Sequence, residues 1–407
     1  MREVLTLAGY EYKKIFQKKV NWIALGAVFI MVLFSGAAMV FGGDVYVEGE
    51  RVASWTEVFW REREAVEALN GTLIDDELLA EAEQAYGNIG SENFCMNTEE
   101  GWEMYEAAVL PYSFIQRMAS NLDGEYGSGM HTMTGEEFYG LREAYMKQNY
   151  EDQMLSQGET EKHLSEMEKL ETPMPYGWTE GYHRYNQLVF INGMFLAFAL
   201  AIAIAPLFAG EYTSRVDQLI LTSKYGKNKA ISAKLLTGFS FAFLASLLMN
   251  LVLLVEIGII YGLGNWDFPI QSITDGFFLS IPINLLTMTV IVVLYQVLSA
   301  CMSGAVIMFC SQKMKSPFGV MIVAALLTFV PLLLAGISSE KRILYLLIRF
   351  LPNGVMEGSW IFDDLLFHIG NGYFYIFQVI PVVWVLLSVT AGIMVFRGFR
   401  KRQIGGR

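Results

Sequence analysis

Glu256 is the one acidic residue inside any of the long apolar runs of this 407-residue chain. A carboxylate in hydrocarbon is costly to desolvate, so an intramembrane acid is a functional candidate by default. It stands seven residues before the end of the run Leu235–Leu263. From there it can reach toward water or bond an amide such as Asn284. Asn250, Asn284 and Gln296 are weaker versions of the same case, uncharged groups whose burial still demands a partner. Glu256, Asn250, Asn284 and Gln296 are therefore the candidate lining of a translocation path. A structural hydrogen bond is the simpler alternative for each.

Other chemistries find little support. A phosphate-binding loop needs G-x-x-x-x-G-K-[ST], whose backbone amides hold the phosphates. The candidate Gly226-Lys227 has Leu221 where the first Gly belongs and Asn228 after it, so the chain has no ATPase motif of its own. Glu159 and His163 are four apart and share a helix face, but no second His or Cys joins them, so no metal site is expected. Cys301 and Cys310 lie ~13 Å apart along one helix and cannot bridge; Cys95 stands alone, so no disulfide framework forms. No G-x-S-x-G, H-E-x-x-H or Cys/His pairing points to an enzyme.

The elements that must position these residues are membrane spans. The chain is 54% hydrophobic and only 17% charged, against roughly a quarter charged in soluble domains. Its apolar residues concentrate in windows at 22–41, 188–208, 235–263, 277–309, 317–337 and 373–396. A bilayer core takes about 20 apolar residues in a helix. The expected fold is an all-α integral membrane protein with six transmembrane helices. The first window continues into Phe41-Gly42-Gly43 without a small-residue cleavage site, which makes it an anchor rather than a signal peptide.

The net charge of −12 hides two opposite parts. Residues 1–20, 210–234, the link around Lys313 and Lys315, and the end beyond Arg397 together hold 17 basic and four acidic residues. Residues 43–185 hold 30 acidic and nine basic ones. Basic residues near span ends stay cytoplasmic. Both termini are thus expected inside a multi-pass cell membrane and residues 43–185 outside it, as an even span count requires.

Residues 1–20 place Leu5, Ala8, Tyr12, Ile15 and Phe16 at helical spacing beside Lys13, Lys14 and Lys18, an amphipathic helix for the cytoplasmic membrane interface. The first span is assigned to 21–42. Residues 43–185 read as a helical extracytoplasmic domain. Ser54-x-x-Glu57 and Thr134-x-x-Glu137 are capping boxes opening helices over 55–70 and 136–157. Asp75 or Asp76, Asn97 or Thr98, and Thr160 are further candidate caps. Strand alternation is scarce. Tyr176, Trp178, Tyr182 and Tyr185 are expected to form an aromatic belt at the membrane surface. The remainder, 186–407, holds five spans. Its segment 338–372 carries an apolar run too short to span, expected to lie on or dip into the outer leaflet.

The loop 210–234 is the most informative stretch. Glu211-Tyr212 opens it, Val216, Leu219 and Ile220 form an apolar stripe, Leu219-Ile220-Leu221 ends the helical turn, and Ser223-Lys224-Tyr225-Gly226-Lys227 makes a basic turn before Lys234 at the mouth of the next span. With the amphipathic N-terminal helix and the large insert after the first span, this resembles the permease subunits of type-2 ABC exporters. The family often has Pro and Arg in the turn, where this chain has Lys224 and Lys227. The resemblance implies that Glu211, Tyr212, Val216, Leu219, Ile220, Leu221, Lys224 and Lys227 belong to a coupling helix docking on a separate ABC ATPase. It implies that ATP is used by that partner and that substrate crosses between two permease copies or paralogues. No cofactor in this chain and no nucleic-acid partner are expected. An ion-gradient-driven secondary transporter is the first rival and would be marked by charged or broken spans in an internal repeat. A membrane sensor or assembly protein with a ligand-binding outer domain is the second, and has no need of such a loop. In a chain whose native cysteines are replaced, cysteines at Asn97 and Lys227 should label from opposite faces of intact cells, Asn97 outside only. Labelling from one face would sink the six-span topology.

Overall fold

The computed structural model describes residues 1–38, 40–87, 98–123, 133–334, 341–352 and 361–401. Cys95, Asn97, Arg402 and Arg407 lie outside them. The chain is mostly helical, and five helices are long and apolar enough to cross a membrane: Lys19–Ala38, Glu180–Thr213, Lys229–Ile260, Leu285–Lys313 and Ile376–Arg400. The window at 317–337 is helical over Pro317–Leu333, 17 residues, short of that length within the described residues.

The bundle is built on a 32-residue rod, α12 (Lys229–Ile260), ~48 Å long at 1.5 Å per residue. At its start lies α1 (Arg2–Phe16), joined by the hydroxyl pair Tyr12–Ser240 at 2.7 Å. Ala8, Glu11 and Ile15 of α1 are buried while Leu5 and Tyr10 stay exposed. The amphipathic helix thus spends its apolar stripe on protein contact, not on lipid alone. At the far end of α12, the Ile260 and Tyr261 carbonyls accept from Arg63 and Trp178. Beside the rod run α2 (Lys19–Ala38), α9 (Glu180–Ile204) with its continuation α10 (Pro206–Thr213), and α13 (Leu285–Lys313). Then come α14 (Pro317–Leu333) and α16 (Ile376–Arg400), separated by α15 (Arg342–Arg349).

The described residues between α2 and α9 form a polar domain around two apolar clusters. It carries α3 (Trp55–Glu67), α4 (Asp76–Gly87), α5 (Glu99–Met104), α6 (Ser113–Asp123), α7 (Gly135–Asp152) and α8 (Gln157–Met167). Both capping boxes form, Ser54 with Glu57 and Thr134 with Glu137. Asp75 accepts from the Glu77 and Leu78 amides and Thr98 from the Gly101 amide. Thr160 is not a cap. That helix starts earlier, at Ser156, whose amide and hydroxyl both donate to Glu159, and α7 has already ended at Asp152.

Three further expectations need correction. The chain is not wholly α. Strands β1 (Asp44–Val47) and β2 (Glu50–Ser54) form a hairpin, and β3 (Leu366–Ile369) pairs with β4 (Gly372–Tyr375). Each turns on a positive-φ glycine, Gly49 at 90° and Gly370 at 63°, the conformation that tight hairpins demand. The aromatic belt faces protein. Tyr176, Trp178, Tyr182 and Tyr185 are all buried, their polar tips bonded to the Pro111, Tyr261 and Leu263 carbonyls and to Asn250. The fourth span also begins late. Phe277 packs on Phe138 in the polar domain, and the buried Arg142 donates to the Phe277 and Leu279 carbonyls at 2.6 and 2.9 Å. Those residues are apolar because they enter a core, and the helix starts only at Leu285.

The region between α14 and α16 joins the polar domain through Glu159. This carboxylate takes both arms of Arg342 and the Leu366 amide, which hold it down at about 2 against its burial. His163 beside it sits 2.7 Å from both the Ser280 hydroxyl and the Asp364 carbonyl. Burial lowers the imidazole, so the neutral ring donates through Nε2 and accepts at Nδ1. Burial, with Asp363 adjacent, pushes the Asp364 carboxyl from 3.8 up to about 7, although Gln153 and Asn149 donate to it. An acid whose pKa rises on folding favours the fold while protonated, and that contribution is lost as pH rises through the folded value. Asp364→Asn, neutral throughout, should therefore gain stability relative to the parent as pH rises from about 4 to 7. His163, held low, runs the other way in both proteins and cancels in the difference. Parallel melting curves would contradict the assignment.

Candidate functional site

The loop between the second and third long helices is clamped by one buried cation. Lys234, in the second turn of α12, is 1% exposed. Its Nζ donates to Glu211 Oε1 at 2.5 Å and to the Leu207 carbonyl at 2.9 Å, and pairs with Glu11 Oε1 at 2.9 Å. The Phe208 ring lies under it at 5.7 Å. Lys14 closes the cluster, 2.9 Å from Glu11 and 3.2 Å from Glu211. Burial alone would lower the Lys14 ammonium; the two carboxylates outweigh it and hold it above its usual value. Two acids and two bases from α1, α10 and α12 thus neutralise one another, three of them buried and Lys14 half-exposed at the rim.

The other side of α10 is fixed to α13. Pro206 has no amide to donate, so the helix breaks between Ile204 and Pro206. Ser311 repairs the break. Its hydroxyl donates to the Ala205 carbonyl at 2.6 Å and accepts from the Phe208 and Ala209 amides at 3.2 and 2.9 Å. Tyr212 donates to the Gln312 carbonyl at 3.1 Å and stacks on Phe399 of α16.

From this anchored base the chain turns at Arg215, whose φ is 59°, into the seven-residue helix α11 (Val216–Thr222). Leu221 points inward and is buried, whereas Leu219 is 71% and Val216 40% exposed. Ile220 is half-buried, and Lys224 and Lys227 are exposed. In the return turn Gly226 sits against the Ile220 carbonyl so closely that a Cβ there would collide with it. The eight loop residues singled out in the sequence therefore divide. Glu211, Tyr212 and Leu221 hold the loop to the bundle. Val216, Leu219, Lys224 and Lys227 face away from it, with Ile220 between.

The four polar residues of the spans also divide. Glu256 is buried against Gly36 of α2, where a Cβ would stand 2.5 Å from its carboxyl carbon. It borders a groove of about 410 Å³ between α2 and α12 lined otherwise by apolar residues. Asn250 faces α9, accepting from Tyr185 at 3.2 Å and donating to the Ser246 carbonyl at 2.9 Å. Asn284 lies before α13 and caps it, accepting from the Thr287 amide at 2.9 Å. Gln296 is buried within α13. Glu256 and Asn250 thus address different neighbours, and Asn284 serves a helix end.

Glu11 is the residue that sequence reasoning missed. Its sole signal in the sequence is an acid among lysines on an amphipathic segment. The polar domain also holds a cleft of about 840 Å³ bordered by Asp75, Asp76, Glu136, Arg142, Glu143 and Lys147. Comparison of the chain with models of known protein families, with characterised proteins and with solved structures finds no match in any of the three.

Removing Lys234 strands two buried carboxylates with only the half-exposed Lys14. Breaking a buried pair from one side costs about 3–5 kcal/mol. Lys234→Met should lower the melting temperature in mild detergent sharply. Adding Glu11→Gln and Glu211→Gln to it should recover a large part of the loss. Absence of that recovery would show that packing, not charge pairing, holds the loop.

Proposed function

We propose that this chain is the membrane-spanning permease subunit of an ABC-type exporter, working with a separate ATPase subunit and a second permease copy or paralogue. The observation that carries the reading is the exposed stripe of Val216 and Leu219 on a short helix whose base is clamped to α1, α12, α13 and α16. An apolar stripe on a helix that cannot turn inward suits a partner's groove. A docked ATPase would push on that helix, and the clamp would pass the movement to several spans at once. In this reading Pro317–Leu333 is the fifth of six spans. The end carrying α1 and α11 is cytoplasmic, as its basic residues favour, and the acidic domain lies outside.

A second reading, a sensor whose outer domain binds a ligand, is favoured by the cleft beside Arg142. What co-purifies in mild detergent separates the two, since the exporter reading requires an ATPase.

The docking surface has its own test. Leu219→Asp with Ile220→Asp puts charges into the expected interface, where an unpaired buried charge costs several kcal/mol. ATPase association or substrate-stimulated hydrolysis should collapse while membrane insertion stays normal, because acids contribute little to topology. Lys227→Glu should do less, being a solvated rim charge. Full partner binding and full stimulated activity in the double variant would reduce the loop to a linker.

A further inference from the structure

A second surface of the bundle combines an apolar groove with unpaired cations. Between α12, α13 and α16 runs a groove of about 500 Å³, bordered by Leu235, Phe239, Leu298, Trp384, Gly392 and Phe396, with no charged residue among its lining. The α16 ridges beside it are exposed, Val389 at 55% and Ile393 at 47%. In a helix long and apolar enough to cross a membrane, such a surface meets hydrocarbon. The groove has a direction. Val385, Val389, Gly392 and Phe396 recur three or four apart, and the next position on that stripe is Arg400. Leu235 belongs to the first turns of α12 and Phe396 to the last turns of α16, so the groove opens at the end of the bundle that carries α1. At that mouth Arg397, Arg400 and Lys401 are exposed and make no ion pair among the described residues.

We propose that this groove binds one phospholipid with an anionic headgroup, its acyl chain along Leu298, Gly392 and Phe239 and its phosphate held by Arg397 and Arg400. Charge complementarity picks the occupant. A guanidinium pair beside an apolar channel matches a molecule with a phosphate at one end and a hydrocarbon tail at the other. A second copy of the chain fits worse. In a two-fold pairing over this face each arginine cluster would meet its own image, and like charges would face each other. Gly392 shapes the channel, since a Cβ there would stand 3.6 Å from the Phe239 ring, in ordinary contact, with any longer side chain extending into the groove. The proposal depends on the membrane reading and not on the exporter reading.

The test is native mass spectrometry of the full chain released from nanodiscs of equal phosphatidylglycerol and phosphatidylcholine. The parent should retain one phospholipid and prefer phosphatidylglycerol. R397Q/R400Q should keep a lipid but lose preference by about fivefold per arginine, the factor expected for a basic residue near an anionic surface. Gly392→Leu should lose the bound lipid of either kind. Leu is a better helix former than Gly, so the helix itself should survive. Unchanged headgroup preference in R397Q/R400Q, or full lipid retention in Gly392→Leu, would overturn the proposal. So would a shift in the monomer–dimer ratio in place of lipid loss, which would identify a second copy as the occupant. Binding of inorganic phosphate to the solubilised parent as tight as that of phosphatidylglycerol would show an anion site without a lipid.

Discussion

The buried ammonium of Lys234 is the constraint around which one end of this molecule is organised. A lysine at 1% exposure cannot stay charged there without partners. The chain supplies them from 23 positions before it in sequence, at Glu211, and from the first helix, at Glu11. Once those three meet, much else follows. The amphipathic helix is set against α12, the end of the second long helix is set against the start of the third, and the loop between them has both ends fixed. The seven-residue helix in the middle then has little freedom of its own, and its exposed leucine is presented on a rigid mount.

Ser311 plays the complementary part from the other side. Proline at 206 breaks the helix at a place where freed backbone groups would be expensive in hydrocarbon. One hydroxyl from α13 serves a carbonyl and two amides there. The break therefore becomes a joint between α9, α10 and α13. Charge pairing on one face and backbone repair on the other make the same short helix, α10, the meeting point of four elements.

Much of this architecture was legible in the sequence because it rests on one-dimensional signals. Apolar run length marked the long helices, and segregation of 30 acids into residues 43–185 marked the polar domain. Ser54 with Glu57 and Thr134 with Glu137 marked helix starts. What was illegible depended on tertiary context. Phe277 to Ile283 read as membrane because a soluble core and a bilayer select the same residue types. Tyr182 and Tyr185 read as an interfacial belt for a similar reason, since an aromatic with a polar tip suits either a headgroup or a buried carbonyl. Glu11 looked like solvated surface because its partner lies 223 residues away. The hairpins were a different matter. Glu48-Gly49 and Gly370-Asn371 are short-range turn signals between β-prone residues, and they were outweighed by the helical character around them.

Lys234 and the polar domain lie at opposite ends of α12, and the rod between them has no proline and no break over 32 residues. Its far end is held as firmly as its near one. Arg63 and Trp178 bind its last carbonyls, and Tyr261 donates to the Gly36 carbonyl of α2 at 2.9 Å. A displacement of α11 would thus meet a stiff element fastened to the polar domain. An unbroken helix held at both ends passes a push on chiefly as tilt or translation of its whole length. In the exporter reading, a movement imposed at the basic end would then be felt beyond the other face of the membrane, at the joint where Trp178 and Arg63 grip α12. The polar domain would be a passive cover only if that grip were loose, and the buried Trp178 indole and the Arg63 contact to the Ile260 carbonyl both oppose that.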